Sequence, residues 1–358
     1  MKLQPLSPQS HLRPAIYGVI HALVDAACVT AVVRASRGST VGDLGAFWTV
    51  AGYDWLAFGL QFPLGLLVDR LRLARLSMIV GAAMAALVLA PGPIPALATI
   101  VAAGVGNALF HLGAGGLVLR SSGGRAAPAG VFVAPGALGL GLGLWMGRTG
   151  RGSTFPIYVA LAFAVIALIT LDKPGSPERN ATSGTVAQPA LLPWLILLML
   201  LLASVSVRSF VGFGACFQCP GGLAVVIGLP AAGFLGKLVG GFVADRLGWL
   251  RVSAGALLLS LPLIAFSGGS LALALPGVLL FQSTMAVTLV AVYALMPRWP
   301  ATAFGLPCLA LIAGAFPTFV PEGKQLFGRW TFALLIALSA AVLALALHRL
   351  RHHGLSRS

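Results

Sequence analysis

The chain has 358 residues, of which 58% are hydrophobic and only 9% are charged, and its mean hydropathy is +0.97. Since soluble domains have roughly 45–50% apolar and about 25% charged residues, this composition excludes an ordinary soluble protein and indicates a lipid environment. The formal charge of +15 does not indicate a nucleic-acid partner, because the basic residues are not gathered on one soluble segment.

Apolar stretches long enough to cross a bilayer follow one another along the whole chain. Lipid offers no hydrogen-bond partner to an exposed backbone, so each stretch is expected to be helical. We predict an all-α membrane protein with twelve transmembrane helices, spans 1 to 12, near residues 14–33, 44–68, 75–91, 95–118, 126–147, 154–171, 191–213, 221–243, 250–268, 271–295, 301–320 and 328–347.

A polar stretch rich in Pro, Gly, Ser and Thr, residues 172–189, divides six spans from six. We interpret it as a cytoplasmic linker between an N-terminal six-helix bundle (1–171) and a C-terminal six-helix bundle with a basic tail (190–358). Most Lys and Arg residues then fall in loops and tails on one side of the membrane. Lys237 is counted among these loop residues. The positive-inside rule makes that side cytoplasmic, with both termini there.

The first 14 residues lack the hydrophobic segment of a cleaved signal peptide, so span 1 is expected to remain as an anchor. The expected location is the cytoplasmic (inner) membrane, as a multi-pass monomer.

Two ionisable residues in span 1, His21 and Asp25, are four apart and therefore share one helix face. Asp54 lies near the middle of span 2. Ionisable groups inside a membrane are costly and mark functional sites by default. We predict that His21, Asp25 and Asp54 bind the protons of a proton-coupled process.

Further polar residues inside spans are candidates for lining a cavity. Asn107 and His111 share a face of span 4, and Arg208 lies in the outer half of span 7. In the alternative interpretation, Asp25 or Asp54 only neutralises Arg208, and the histidines are packing residues.

One short motif occurs twice, at the cytoplasmic ends of spans 2 and 8, with its Asp residues 176 positions apart. The shared residues are Gly65, Asp69 and Arg70 in the first copy and Gly241, Asp245, Arg246 and Gly248 in the second. Glycine lets neighbouring helices approach closely, and Asp and Arg can pair across the gap between bundles. A contact of this kind, formed in only one conformation, would act as a gate. A solvated turn with ordinary charges is the alternative.

The duplicated motif, the twelve spans and the central linker resemble the major facilitator superfamily over essentially the whole chain. The resemblance implies two pseudo-symmetric six-helix bundles that rock about a central cavity and carry a small-molecule substrate by alternating access. The first copy of the motif departs from the family pattern, because Arg72 occupies the place of the second glycine.

Within that superfamily, His21-Ala-Leu-Val-Asp25, Gly106-Asn-Ala-Leu-Phe-His111 and Val207-Arg208-Ser-Phe210 resemble the fosmidomycin-resistance branch. This resemblance implies efflux of a drug or other small organic compound by proton antiport. Leu112 and Gly113 stand where that branch typically has Pro-Glu, so one acidic group of the presumed pathway is missing.

A glycine strip in span 5, Gly139, Gly143 and Gly147 after Pro135, predicts a smooth helix face. Such a face suits a bundle interface that slides, and it loosely resembles a fifth-span motif of antiporters in the superfamily. Plain tight packing explains the glycines equally well.

Cys216 and Cys219, just after span 7, form a pair that transport does not require. A chance pair of small residues, a disulfide or a metal site would each fit it. No ATP-binding loop or soluble catalytic scaffold is present, so we expect no enzyme activity and no cofactor. Alternatives to efflux are an uptake carrier or facilitator for an organic anion anchored by Arg208, a membrane thiol oxidoreductase using the two cysteines, and a non-transporting scaffold.

Overall fold

The computed structural model describes residues 9–37, 42–92, 94–170, 190–219 and 221–355. Throughout these ranges the regular structure is helical, with no strand. The predicted linker, 172–189, lies outside the described residues.

The described chain forms a series of α-helices with one π-helical and one 3-10 segment. The α-helices are α1 (Gln9–Arg37), α2 (Gly42–Asp54), α3 (Gln61–Leu71), α4 (Ala74–Leu87), α5 (Ala96–Ser121), α6 (Ala126–Thr149), α7 (Phe155–Thr170), α8 (Leu191–Gln218), α9 (Leu223–Leu247), α10 (Trp249–Ala265), α11 (Leu271–Gln282), α12 (Met285–Leu295), α13 (Pro300–Ala315), α14 (Pro321–Lys324) and α15 (Arg329–His352). The π segment is Trp55–Gly59, and the 3-10 segment is Phe316–Phe319.

Helices occupy all twelve predicted span positions. Eight helices in the described ranges are long and apolar enough to cross a membrane, and three further apolar helices, α4, α7 and α10, are shorter. Together with the fold, this makes the chain an integral multi-pass membrane protein. Two spans differ from prediction because they are interrupted: span 2 by the π segment between α2 and α3, and span 10 at Ser283 and Thr284, between α11 and α12.

The two halves of the chain meet through pairs of helices that the duplication relates. In the N-half (9–170) α6 packs on α9 of the C-half (190–355), and α13 of the C-half packs on α3 of the N-half. In span numbers these pairs are 5 with 8 and 11 with 2, so a shift of six spans exchanges them. The contact of α5 with α13 likewise has its counterpart in the contact of α12 with α6.

Of the two explanations for the glycine strip of span 5, the structure agrees with tight packing inside one bundle and not with a sliding interface between the bundles. A Cβ atom on Gly139 would collide with the backbone of Ala22, and one on Gly143 would lie 2.9 Å from the carbonyl oxygen of Ala26. The strip therefore packs α6 closely against α1 within the N-half.

Candidate functional site

Four of the polar residues predicted from spans 1 and 4 meet in one cluster inside the N-half. His21 Nε2 lies 3.1 Å from Asp25 Oδ2, and His111 Nε2 lies 3.9 Å from Asp25 Oδ1. The two imidazoles contact each other through their Nε2 atoms at 2.7 Å. Asn107 Nδ2 donates to Asp25 Oδ1 at 2.8 Å. We call these four residues the His–Asp cluster.

The backbone fixes which nitrogen of each imidazole carries a proton. His21 Nδ1 lies 3.0 Å from the carbonyl oxygen of Phe132, and His111 Nδ1 lies 2.8 Å from that of Asn107. A carbonyl oxygen can only accept, so both Nδ1 atoms must donate. In two neutral rings, both Nε2 atoms would then present lone pairs to each other. Their contact is a hydrogen bond only when one further proton lies on one of the two rings.

Small residues and aromatic rings shape the space around the His–Asp cluster. A Cβ atom on Gly136 would collide with the His21 ring and lie 2.8 Å from Asp25 Oδ2, so span 5 needs glycine at this position. The His21 ring packs against Phe132, with ring centroids 5.0 Å apart. Asp25 itself is not sealed, since 15% of its side chain is exposed.

Three side chains of the His–Asp cluster, His21, Asp25 and His111, could supply metal ligands, because their ligand atoms all lie within 4.8 Å of one another. Two Zn–N bonds of about 2.0–2.1 Å at a tetrahedral angle hold their nitrogens roughly 3.3 Å apart. The Nε2 atoms lie 2.7 Å apart, which fits a shared proton and not an intervening metal ion.

Asp54 does not join the His–Asp cluster. It is the last residue of α2, where the π segment begins. Its side chain is largely buried and forms no hydrogen bond or ion pair with any residue that the structure describes. A π segment in a helix frequently accompanies a functional position.

Arg208 lies in the C-half and is 92% buried, with 8% of its surface exposed. Its Nε donates to the Ser204 carbonyl oxygen at 3.2 Å, one Nη donates to Thr284 Oγ1, and the other donates to Thr288 Oγ1 at 2.8 Å. It forms no ion pair with a described carboxylate, so the predicted pairing with Asp25 or Asp54 is not seen.

Lys237 is the main residue that sequence reasoning placed wrongly. It lies inside α9, ten residues before the end of the helix, and not in a loop. Its side chain is partly buried and makes no hydrogen bond or ion pair within the described ranges, and its helix packs against α6 of the N-half. Lys237 was counted with the loop residues although it lies within the predicted bounds of span 8, 221–243.

The duplicated motif joins the two halves at one end of the molecule, which we call the motif end. In the first copy, Asp69 Oδ1 accepts from the Ala301 N–H at 3.0 Å, and Oδ2 accepts from the Thr302 N–H and hydroxyl, each at 2.8 Å. The carboxylate of the N-half thus caps the first turn of α13 in the C-half.

The second copy makes the reciprocal contact. Asp245 accepts from the N–H groups of Ala126 and Ala127, each at 2.8 Å, and so caps α6 of the N-half. Trp249 Nε1 adds a third bond to the same carboxylate at 3.1 Å. Both contacts cross between the halves, which makes the motif end closed in this conformation.

The glycines of the motif behave as predicted, whereas the arginines do not. A Cβ atom on Gly65 would lie 2.9–3.1 Å from the backbone of Ala301 and Thr302, and one on Gly241 would lie 2.9–3.1 Å from that of Ala126 and Ala127. The glycines thus permit close approach. Arg70 and Arg246 are exposed and pair with no described carboxylate, because backbone N–H groups already occupy both Asp side chains.

An aromatic contact that the sequence did not reveal lies beside the His–Asp cluster, between the two halves. Phe304 of α13 and Phe132 of α6 meet across the halves in a T-shaped pair, with ring centroids 5.9 Å apart. The Phe304 ring also lies 6.2 Å from that of His111 and fills the space beside Gly115. This pair is a further contact between the halves, beside the His–Asp cluster.

Cys219 takes no part in these contacts. Cys219 is a free thiol whose Sγ lies 3.7 Å from the Ala215 carbonyl oxygen, while the side chain of Cys216 lies outside the described residues. Burial raises the pKa of the Cys219 thiol, which lowers its thiolate fraction and hence its reactivity.

Comparison with known proteins identifies the fold. No family model matches the chain, and no curated protein matches it by sequence. Among solved structures, a variant of the E. coli fucose:proton symporter FucP aligns over 98% of this chain and 100% of its own, with a TM-score of 0.61 and 13% identity. FucP described as a Major Facilitator Superfamily transporter in the outward conformation aligns over 96% and 99%, with a TM-score of 0.57 and 14% identity. The chain therefore has the major facilitator fold, as predicted.

Proposed function

We propose that this protein is a secondary transporter that couples the movement of a small organic compound to protons by alternating access. The observation that carries the proposal is the 2.7 Å contact between His21 Nε2 and His111 Nε2 beside Asp25. Because both Nδ1 atoms donate to carbonyl oxygens, that contact requires one bound proton. A carboxylate next to the shared proton stabilises it, and a conformational change that separates the rings would release it.

The major facilitator fold and the reciprocal caps at the motif end support the alternating-access part of the proposal. Each cap holds a helix end of one half against the other half, so both must break before that end opens. We further propose that the residues 1–171 and 190–358 move as the two bundles. The membrane is the cytoplasmic one, both termini are cytoplasmic, and the motif end faces the cytoplasm.

Efflux by proton antiport is the direction that the sequence resemblance implies, and we propose it on that basis. Asn107 and His111 then line the substrate cavity from the N-half, and Arg208 lines it from the C-half. Asp54 remains a second proposed proton-binding residue.

Uptake or facilitated passage of an organic anion is the second candidate function. One specific observation favours it: the C-half holds the buried Arg208 without a carboxylate partner among the described residues. In this case the proton and the substrate travel together.

The test is transport by purified protein in vesicles under an imposed pH gradient. Charged and neutral candidate compounds are screened while an internal dye reports proton movement. The Asp25→Asn variant keeps the side-chain shape and an acceptor for Asn107, but it removes the charge that stabilises the shared proton. We expect it to fold normally and to lose proton-coupled transport.

Glu322→Gln is the matched control, because it neutralises an exposed carboxylate remote from the His–Asp cluster. It should transport as the parent protein does. Full proton-coupled transport by the Asp25→Asn variant would rule out the proposed role of the cluster. The Asp54→Asn variant, tested in parallel, shows whether proton coupling extends beyond it.

A further inference from the structure

The interior of the C-half carries positive charge without a matching negative one. Asp245 and Glu322 are the only acidic side chains between residues 190 and 358. The first is held by backbone N–H groups at the motif end, and the second is exposed. Arg208 and Lys237 therefore have no acidic partner in their own half, and for Arg208, which is buried, a charge without a counter-ion is costly.

The hydrogen bonds of Arg208 leave part of its guanidinium unused. Of its five N–H donors, Nε and one N–H on each Nη are bound, to Ser204, Thr284 and Thr288. One N–H on each terminal nitrogen remains, and these N–H groups can donate to the oxygens of a carboxylate or phosphonate.

The two threonines position the guanidinium and cannot bind the same ligand as donors. The Thr284 hydroxyl donates to the Phe281 carbonyl oxygen at 3.2 Å, and the Thr288 hydroxyl donates to that of Thr284 at 2.9 Å. Both hydroxyls are thereby fixed as acceptors for Arg208. This arrangement lies where span 10 is interrupted, between α11 and α12. Interrupted helices are where transporters of several folds bind their substrates.

We propose that Arg208 binds the acid group of the transported compound, which makes the substrate a small organic anion. Lys237 supplies a second positive charge on α9, where its backbone carbonyl oxygen lies against Gly130 of α6 in the N-half. The inference rests on the proposed transport function and names the substrate class of that site.

Anion binding by the purified full-length protein tests the proposal without requiring transport. The probes are benzoate and methylphosphonate, with benzamide as the neutral analogue, at constant ionic strength in detergent, and the readout is ligand-dependent thermal stabilisation. We expect at least one anion to stabilise the protein saturably, and benzamide to have no effect. The Arg208→Gln variant should bind that anion at least about 30-fold more weakly, as expected when one partner of a buried charge pair is lost.

Two further variants separate binding from folding. Arg208→Lys keeps the charge but loses the two-pronged geometry, so it should bind with intermediate affinity. Arg349→Gln removes an exposed arginine of the C-terminal helix and should bind normally. Without ligand, Arg208→Gln should be at least as stable as the parent, because a buried charge without a counter-ion has been removed. A large loss of stability there, or anion binding that survives the substitution, would overturn the proposal.

The vesicle assay distinguishes this inference from the transport function. If neutral or cationic compounds drive proton movement that Asp25→Asn abolishes, while no anion binds, the transport function stands and the anion site is wrong. If anions bind through Arg208 but Asp25→Asn couples protons fully, the anion site stands and the proposed proton coupling is wrong.

Discussion

The motif end and the membrane core of this molecule follow its internal duplication to different degrees. At the motif end, Asp69 and Asp245 make equivalent contacts, each with two backbone N–H groups at the start of a helix in the other half. In the core, the N-half holds a carboxylate with two imidazoles, whereas the C-half holds Arg208 and Lys237.

The symmetric motif end and the asymmetric core correspond to two tasks of the proposed transporter. Opening and closing one end requires both halves to release and regain similar contacts, which preserves the symmetry. Binding a proton and a substrate requires different chemistry, and in the proposed function each half supplies one part of it. Substitutions in the core should therefore change proton-coupled transport. Substitutions at the motif end should change the ratio of open to closed protein at that end.

The largest effect is expected in the core, for His111→Gln. The substitution removes the imidazole that shares a proton with His21 Nε2, and a hydrogen bond to a charged group contributes about 1.5–3 kcal/mol. Proton-coupled transport in vesicles should fall by about 10- to 100-fold at neutral pH. The conformational equilibrium at the motif end should remain unchanged.

His348→Gln is a suitable control, because His348 is an exposed histidine of the C-terminal helix whose Nε2 also faces another histidine, His352, at 3.1 Å. Transport by this variant should match the parent. Equal losses in the two variants would show that general destabilisation, and not the His–Asp cluster, causes the effect.

The sequence predicted the fold and part of the site, for reasons that the residues make clear. Apolar stretches determine the spans, and the spacing of four residues placed His21 with Asp25 and Asn107 with His111 on common helix faces. The sequence could not show that the two faces meet, because the rotation of each helix depends on packing such as that of Gly136 against His21.

Contacts of the backbone and of single residues in apolar helices were beyond sequence reasoning. The motif carboxylates were expected to pair with arginines, but they bind N–H groups whose location depends on the three-dimensional packing of α6 and α13. Lys237 was assigned to a loop by its charge alone, although the predicted bounds of span 8, 221–243, already included it. The interruption of span 10 at Ser283 and Thr284 likewise has no Pro or Gly beside it, whereas Gly59 and Pro63 accompany the π segment of span 2.

An intermediate effect is expected at the motif end, for Asp69→Asn and Asp245→Asn. Each substitution removes one acceptor and the negative charge from a helix N-terminus, at a cost of about 1–2 kcal/mol. The ratio of open to closed protein at this end should rise about 5- to 30-fold in each variant. The two contacts are separate, so the double variant should show the sum of the two free-energy changes.

Spin labels at Arg70 and Arg298 measure this equilibrium, because both residues are exposed at the motif end and belong to different halves. Distance distributions should show a larger open population in each variant. Thr302→Val removes only the hydroxyl bond to Asp69 and should have a smaller effect than Asp69→Asn. If only one of the two Asp substitutions opens the end, the functional equivalence of the two caps is wrong.

The smallest effect concerns the turn after each motif, where the two copies differ in sequence and in backbone. Arg72 adopts a left-handed conformation, with φ 57° and ψ 38°, whereas Gly248 has φ 95° and ψ 136°. A side chain tolerates the first conformation at a cost of about 1–2 kcal/mol, but the second is almost restricted to glycine. The departure from the family pattern at Arg72 therefore falls on the copy whose turn can accommodate it.

Arg72→Gly should raise the free energy of unfolding by about 1 kcal/mol, since it removes the Cβ that opposes the left-handed turn. Arg72→Ala is the matched control, because it also removes the guanidinium but keeps the Cβ, so it should show no gain. Unfolding in mixed detergent micelles measures both variants. Arg72 and Arg120 line one small cleft with Asp69, and equal destabilisation of both variants would show that the guanidinium is retained for its charge beside that carboxylate.

Gly248→Ala should destabilise the protein by at least as much as Arg72→Gly stabilises it, because its turn has no conformation that a Cβ tolerates.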